Sequence, residues 1–328
     1  MKTVYLDCSF GIAGDMALAA LLDLGADRDA ITAQLKELPI DAFEWRTRNV
    51  MKCGMRGLHL DVILPGDAPS ARAPHSEHGH EHAAHLPHSH ASHDDEAVHA
   101  DADGGGDDGT HDHVHDHVHD HAHQHMHDHV HDHGQDHTHQ HGHVHGQDHA
   151  HGHDHAHQHA HRSAKTILAM IEAGPLPPRV QERSRRIFQA IAAAEAKIHH
   201  MPVDEVHFHE VGAMDSIIDI IGFCLALESL QVDRILAGPL ALGHGYVHMA
   251  HGLYPVPAPA TSEIATGLLL SSFQANGELT TPTGAGIVKA LAVQSEGLPP
   301  DVIRKIGYGA GTKDFEHPNI MRAFLLER

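Results

Sequence analysis

Hydrophobic positions along the chain alternate with polar ones in two rhythms. Val4-Tyr5-Leu6-Asp7-Cys8 reads as a short strand, and Gly11-Ile12-Ala13-Gly14-Asp15 as the loop after it. Met16 to Leu24 then predicts a helix ended by Gly25, since glycine tolerates the left-handed conformation that follows a last helical turn. Leu58, Leu60, Val62 and Leu64 alternate with His59, Asp61 and Ile63, a half-buried strand stopped by Pro65-Gly66.

A second block of pattern begins at Ser163, which can cap a helix running to Gly174-Pro175. Arg179 to His199 carries Val180, Ile187, Ile191 and Ile198 near helical spacing. Val203 to Phe208 reads as a strand, Asp215 to Leu230 as an apolar helix, Val232 to Leu242 as a strand region, and Thr283-Gly284 as the start of a helix through Val293. Strands alternating with helices predict an α/β body.

Between these blocks the pattern stops. Residues 67–162 hold almost no large apolar side chains, so burial cannot offset the entropy of ordering them. The reading is an α/β body made of 1–66 and 163–328, with a long disordered His-rich insertion over 67–162. Of 42 histidines, 33 lie between His75 and His161, a window with 17 acidic residues and no lysine or arginine. The rest carries 22 basic and 27 acidic residues, a net of −5. That excludes a basic nucleic-acid surface. No stretch reaches 18 apolar residues, which excludes a spanning helix, and the first residues do not read as a secretory signal. Cys8, Cys53 and Cys224 form no CxxC. A cytoplasmic location is the default expectation.

Candidate chemistry starts in the histidine tract. From His111 to His133 every second residue is histidine, with Asp112, Asp116, Asp120, Asp128 and Asp132 interleaved. In an extended chain residues two apart share a side, so pairs such as His113/His115 and His117/His119 can chelate one cation. Imidazole suits nickel, copper, zinc and iron. Because protonated imidazole cannot ligate, metal capacity is expected to fall steeply below about pH 6; an unchanged stoichiometry at pH 5 in a metal titration would refute this.

A second constellation is His207-Phe208-His209-Glu210 followed by Asp215 and Asp219. His207 and His209 would share a strand face, and Asp215 and Asp219 a helix face, so all four could converge on a transition metal. A third is His244, His248 and His251 in a glycine-rich stretch with Pro255, Pro257 and Pro259 after it. Three glycine-rich turns could cradle phosphate: Gly11 to Asp15, Thr280 to Gly284, and Gly307 to Lys313. Gly11, Gly14, Thr281, Thr283, Gly284 and Lys313 are their candidate contacts. None matches a P-loop or dinucleotide fingerprint.

Several of these segments together resemble one family. Asp7-Cys8 with Gly11-Ile12-Ala13-Gly14-Asp15-Met16, Val206 to Ile217, Gly243 to Gly252, Pro255 to Thr261, Thr280 to Ala285 and Gly307 to Lys313 are similar, in order, to segments of the LarC family. These are the nickel-insertion proteins of nickel-pincer nucleotide cofactor synthesis, and a His-rich insert of variable length is also a family feature. Where the family more often reads Phe-Ser, this chain has Ser9-Phe10.

The resemblance implies a cyclometallase of the lyase class. Ni2+ would be inserted into pyridinium-3,5-bisthiocarboxylic acid mononucleotide, forming carbon–nickel and sulfur–nickel bonds, with CTP and Mg2+ or Mn2+, and the product would serve lactate racemase. Family members usually continue into a C-terminal CTP-binding domain, so a C-terminal partner is expected; a homo-oligomer is left open. In this reading the tract gathers nickel. The ordered ligands are His207, His209, Asp215, Asp219, His244, His248 and His251, and Asp15 or Glu210 accepts the ring proton. A nickel store or metallochaperone without catalysis is the alternative, and a metal-dependent phosphoesterase a third class.

Overall fold

A computed structural model describes residues 1–65, 162–208, 211, 213–249 and 252–327. In chain order the elements are β1 Lys2–Asp7, α1 Gly14–Leu24, α2 Arg28–Lys36, β2 Glu44–Lys52, β3 Met55–Ile63, α3 Ala164–Ala173 and α4 Pro178–His199. Then follow α5 Met214–Ser229, β4 Arg234–Ala237, β5 Gly243–His244, β6 Tyr246–Met249, β7 Gly252–Pro255 and α6 Pro259–Ile264. β8 Gly277–Glu278, α7 Pro282–Leu291, β9 Val293–Gln294, β10 Val302–Ala310 and β11 Ile320–Glu327 complete the chain. The expected insertion lies outside the described residues.

Seven strands form a mixed sheet in the order β2-β3-β10-β11-β1-β4-β9. β1 pairs antiparallel with β11 and parallel with β4, so strands from before and after the histidine tract share one sheet. The main core lies between this sheet and α1, α4, α5 and α7. α5 is apolar nearly all round, and Asp219 is its one charged residue among the buried positions. A helix of that kind belongs in a core. On the sheet's other face Tyr5, Leu236, Phe324 and Leu326 form a smaller cluster, with the Arg322 guanidinium 5.3 Å from the Phe324 ring centre. Among the described residues no helix is long and apolar enough to cross a membrane.

The local signals read from the sequence act as expected at several ends. Gly25 takes φ 110°, and the amides of Gly25 and Ala26 close α1 onto the carbonyls of Leu22 and Leu21. Ser163 caps α3 by accepting from the Thr166 amide.

Other expectations are corrected. Val203–Glu205 is a short 3-10 turn and His207 makes only a single bridge to Ser163, so this stretch is not a strand. The cause is packing: Val206 and Phe208 are buried, Phe208 against Phe188 with ring centres 6.1 Å apart, while 203–205 face solvent. The strand expected over Val232–Leu242 shortens to β4. Gly307 to Ala310 is not a turn but the end of β10. A Cβ at Gly307 would stand 2.0 Å from the Ala20 carbonyl oxygen, and one at Gly309 1.9 Å from that of Met16. These glycines let α1 lie with its backbone directly on the sheet.

Candidate functional site

Three helices begin at one place. α1 follows the end of β1 and brings Ala13, Gly14 and Asp15; α5 brings Asp215, Ser216 and, one turn on, Asp219; α7 brings Thr281, Pro282 and Thr283. With Leu60, Asp61 and Val62 of β3, and with Val211, Glu278 and Thr312, they line a cavity of about 430 Å³. α1 and α5 start at Ala13 and Ala213, which have no side-chain cap, whereas Thr281 caps α7 by accepting from the Gly284 amide at 3.2 Å. Helix N-termini carry partial positive charge, which favours carboxylates in their first turns. Asp15 and Asp215 occupy those turns.

Asp219 has no such help. It is buried, and its Oδ1 has no hydrogen-bond partner. Loss of hydration pushes its carboxyl well above the usual carboxylate range, and the nearby Asp15 and Asp215 push further. Asp15 is also raised, mainly by removal from water. The amides of Met16 and Asp15 and the His59 ring oppose that rise, while Asp215 adds to it. A pair of acids in this setting resists holding two negative charges at once, so the cavity favours a proton or a metal cation.

The wall beside them is built by β3. His59 is 2 % exposed, and its Nδ1 lies 2.9 Å from the Ala310 carbonyl oxygen and its Nε2 3.0 Å from Asp61 Oδ1. Both ring nitrogens therefore face acceptors. The other Asp61 oxygen lies 3.6 Å from the Arg48 guanidinium.

A smaller cavity of about 150 Å³ shares Ala13, Asp15, Glu278, Thr281 and Thr312 with the first, and adds Lys313 and Asn319. The Glu278 carboxyl is raised by burial and drawn back by Lys313, whose ammonium stands 4.0 Å away. The main chain around Lys313 is held firmly. Lys52 donates to the carbonyls of Thr312 and Lys313 and to the Asp314 carboxylate, and Asn319 Nδ2 donates to the Lys313 carbonyl at 2.8 Å.

The sequence candidates separate in this geometry. Asp15, Asp215, Asp219, Gly14, Thr281 and Thr283 line the larger cavity, and Lys313 lines the smaller. Gly11 and Gly284 line neither. A Cβ at Gly11 would stand 2.0 Å from the Leu279 carbonyl oxygen, and one at Gly284 2.0 Å from that of Ile12, so both serve close backbone contact.

His207, His244 and His248 are exposed and not among the lining residues, so the expected convergence of these histidines with Asp215 and Asp219 is not what the fold builds. His248 sits on the β6–β7 hairpin, and His244 pairs with Gly277. His209, Glu210, His251 and the tract histidines His113, His115, His117 and His119 lie outside the described residues. Among the described residues no group of three His, Cys, Asp or Glu is placed to hold a metal ion by itself. His59, Asp61, Ser216, Glu278 and Thr312 were not singled out from the sequence. The period-two spacing of His59 and Asp61 on a strand was a usable signal, since it puts both on one side. Glu278 carried none.

The chain matches the family model described as "Nickel insertion protein" over residues 4–328. It is 37% identical over 326 residues to a pyridinium-3,5-bisthiocarboxylic acid mononucleotide nickel insertion protein of Staphylococcus epidermidis, covering 99% of this chain and 60% of that protein. A protein of the same name from Geobacillus kaustophilus is 36% identical over 328 residues, covering 100% of this chain and 60% of its own. A putative nickel insertion protein of Dictyoglomus thermophilum is 32% identical over 327 residues, covering 100% of this chain and 61% of its own. The chain thus spans about 60% of the length of these curated relatives. No solved structure matches it. The segments that line the two cavities all fall within the matched residues, and the chain belongs to the nickel insertion protein family.

Proposed function

We propose that this chain holds Ni2+ and pyridinium-3,5-bisthiocarboxylic acid mononucleotide in the cleft between α1, α5 and α7, for insertion of the metal into the ring. The observation that carries the reading is the unpartnered Asp219 oxygen, buried in one cavity with Asp15 and Asp215. A buried charge is costly unless paired or bound to metal. Two thiocarboxylate sulfurs and one ring carbon of the substrate supply three donors, so the protein needs few ligands of its own. Soft sulfur donors then draw the metal from carboxylate oxygen. One carbon–hydrogen bond breaks as the carbon–nickel bond forms, and the proton passes to Asp15. Asp215 and Asp219 hold the cation before transfer.

Further expectations accompany this reading. The His-rich tract serves as a tethered nickel reservoir that raises the local metal concentration. CTP with Mg2+ or Mn2+ acts as cosubstrate together with a C-terminal partner segment. The reaction is of the lyase class, takes place in the cytoplasm and supports lactate racemase maturation.

The test is nickel content of a chain lacking residues 75–161, loaded with nickel and substrate mononucleotide and washed with a mild chelator. About one nickel per body is expected to remain, and to be lost in the Asp15→Ala/Asp215→Ala double variant. Equal retention in that variant would refute the assignment.

A further inference from the structure

The two cavities divide charge between them. Asp15 and Glu278 line both, but the larger adds Asp61, Asp215 and Asp219, whereas the smaller adds Lys313, the one lysine lining either. Lys313 is anchored and yet free: its carbonyl accepts from Lys52 and Asn319, while its side chain is 54% exposed. The ammonium faces Glu278 at 4.0 Å, beyond hydrogen-bond reach, and Glu278 keeps only 11% of its side chain exposed. A pair at that distance with one partner in solvent is weak and readily exchanged. Thr281 stands beside it. Its oxygen accepts from the Gly284 amide, which leaves the hydroxyl proton for another acceptor.

We propose that the smaller cavity is the seat of a single phosphate monoester, with Lys313 as its counter-charge and Glu278 as the carboxylate that occupies Lys313 until the phosphate displaces it. The identity of the ligand rests on the function proposed above; the seat itself rests on the charge division. A mononucleotide phosphate would be repelled by Asp61, Asp215 and Asp219, which line the larger cavity alone, so it settles on Lys313 and the Thr281 hydroxyl. That orientation turns the ring of the same molecule toward the carboxylate cavity. Charge also sets a limit. A triphosphate seated on Lys313 would press its further negative charges against Glu278 and Asp15, which line the same cavity. The seat therefore selects monoesters over longer phosphate chains. Glu278 is a specificity residue here; it neither binds metal nor accepts the ring proton.

The test is isothermal titration of the full chain in EDTA. The ligands are nicotinic acid mononucleotide (a pyridinium mononucleotide without sulfur), its riboside, CMP and CTP. Nicotinic acid mononucleotide is expected to bind at least about tenfold tighter than its riboside, the order of one charge-assisted contact. Lys313→Ala should erase that ratio. Glu278→Gln should raise affinity for the mononucleotide, because the competing carboxylate is gone. Weaker binding by Glu278→Gln, an unchanged ratio in Lys313→Ala, or CTP binding tighter than CMP would each overturn the proposal. CMP binding as tightly as the pyridinium mononucleotide would support the phosphate seat and overturn the pyridinium reading of the function.

Discussion

Gly309→Ala is expected to destabilise the protein by about 3 kcal/mol or more, the upper end for an overpacked site. The added Cβ would stand 1.9 Å from the Met16 carbonyl oxygen and 2.7 Å from the Ala20 amide nitrogen. Both are backbone atoms of α1, so no side-chain rotation relieves the clash. The helix must lift from the sheet, and with it Ala17, Leu18, Ala20 and Leu21, all fully buried. Against a total stability of ~5–15 kcal/mol this is a large fraction. Function should fail with it, since the same helix carries Asp15 to the cavity. Urea denaturation followed by circular dichroism reads the effect. Gly297→Ala is the control: nothing lies within 4 Å of its added Cβ, and its change should stay within about 0.5 kcal/mol. Equal midpoints for Gly309→Ala and the unaltered chain would mean that α1 does not lie against β10 in this way.

Asp219→Asn is expected to stabilise the fold and weaken nickel retention together. The unpaired buried Asp219 carboxyl is raised well above its ordinary value by burial first and by Asp15 and Asp215 next. In the unfolded chain it titrates near the ordinary value, about 3.9. Between that value and the raised one the folded state binds the extra proton, so this group's contribution to stability is fully present below about pH 4 and is lost as pH rises through the window. The amide cannot ionise and escapes that decline. At neutral pH the variant should gain about 1–3 kcal/mol, the scale of a buried polar group without a partner. Its advantage should widen from pH 5 to pH 8 in thermal melts. A variant less stable at both pH values would show that the Asp219 carboxylate is structural. Improved stability with undiminished nickel retention would remove it from the metal site.

Much of the body was legible in local pattern. α1, α3 and α5 announce themselves by apolar spacing and by end signals such as Ser163 and Gly25, which act through neighbouring backbone groups. β10 and β11 carry no such signal. β10 mixes Arg304, Lys305 and glycines, and its pairing with β11 shifts between Ile303 and Lys305, so it shows no clean alternation. α2 buries only Ile31 and Leu35, too little for a periodic signal.

The family resemblance and the choice of Asp15, Asp215, Asp219 and Lys313 came from the sequence alone, because those residues stand in short segments whose order and spacing need no fold to be seen. Which of them meet was decided only in three dimensions. His207 looked adjacent to Asp215 along the chain, yet Val206 and Phe208 bury themselves and leave His207 in solvent. Glu278 and Asp61 reach the cleft from strands far away in sequence, His59 stands behind Asp61, and Gly307 and Gly309 serve the seating of α1 on the sheet, not an anion. Local spacing determines helix ends and candidate chemistry; convergence depends on which backbones the core packs together, which short-range pattern does not encode.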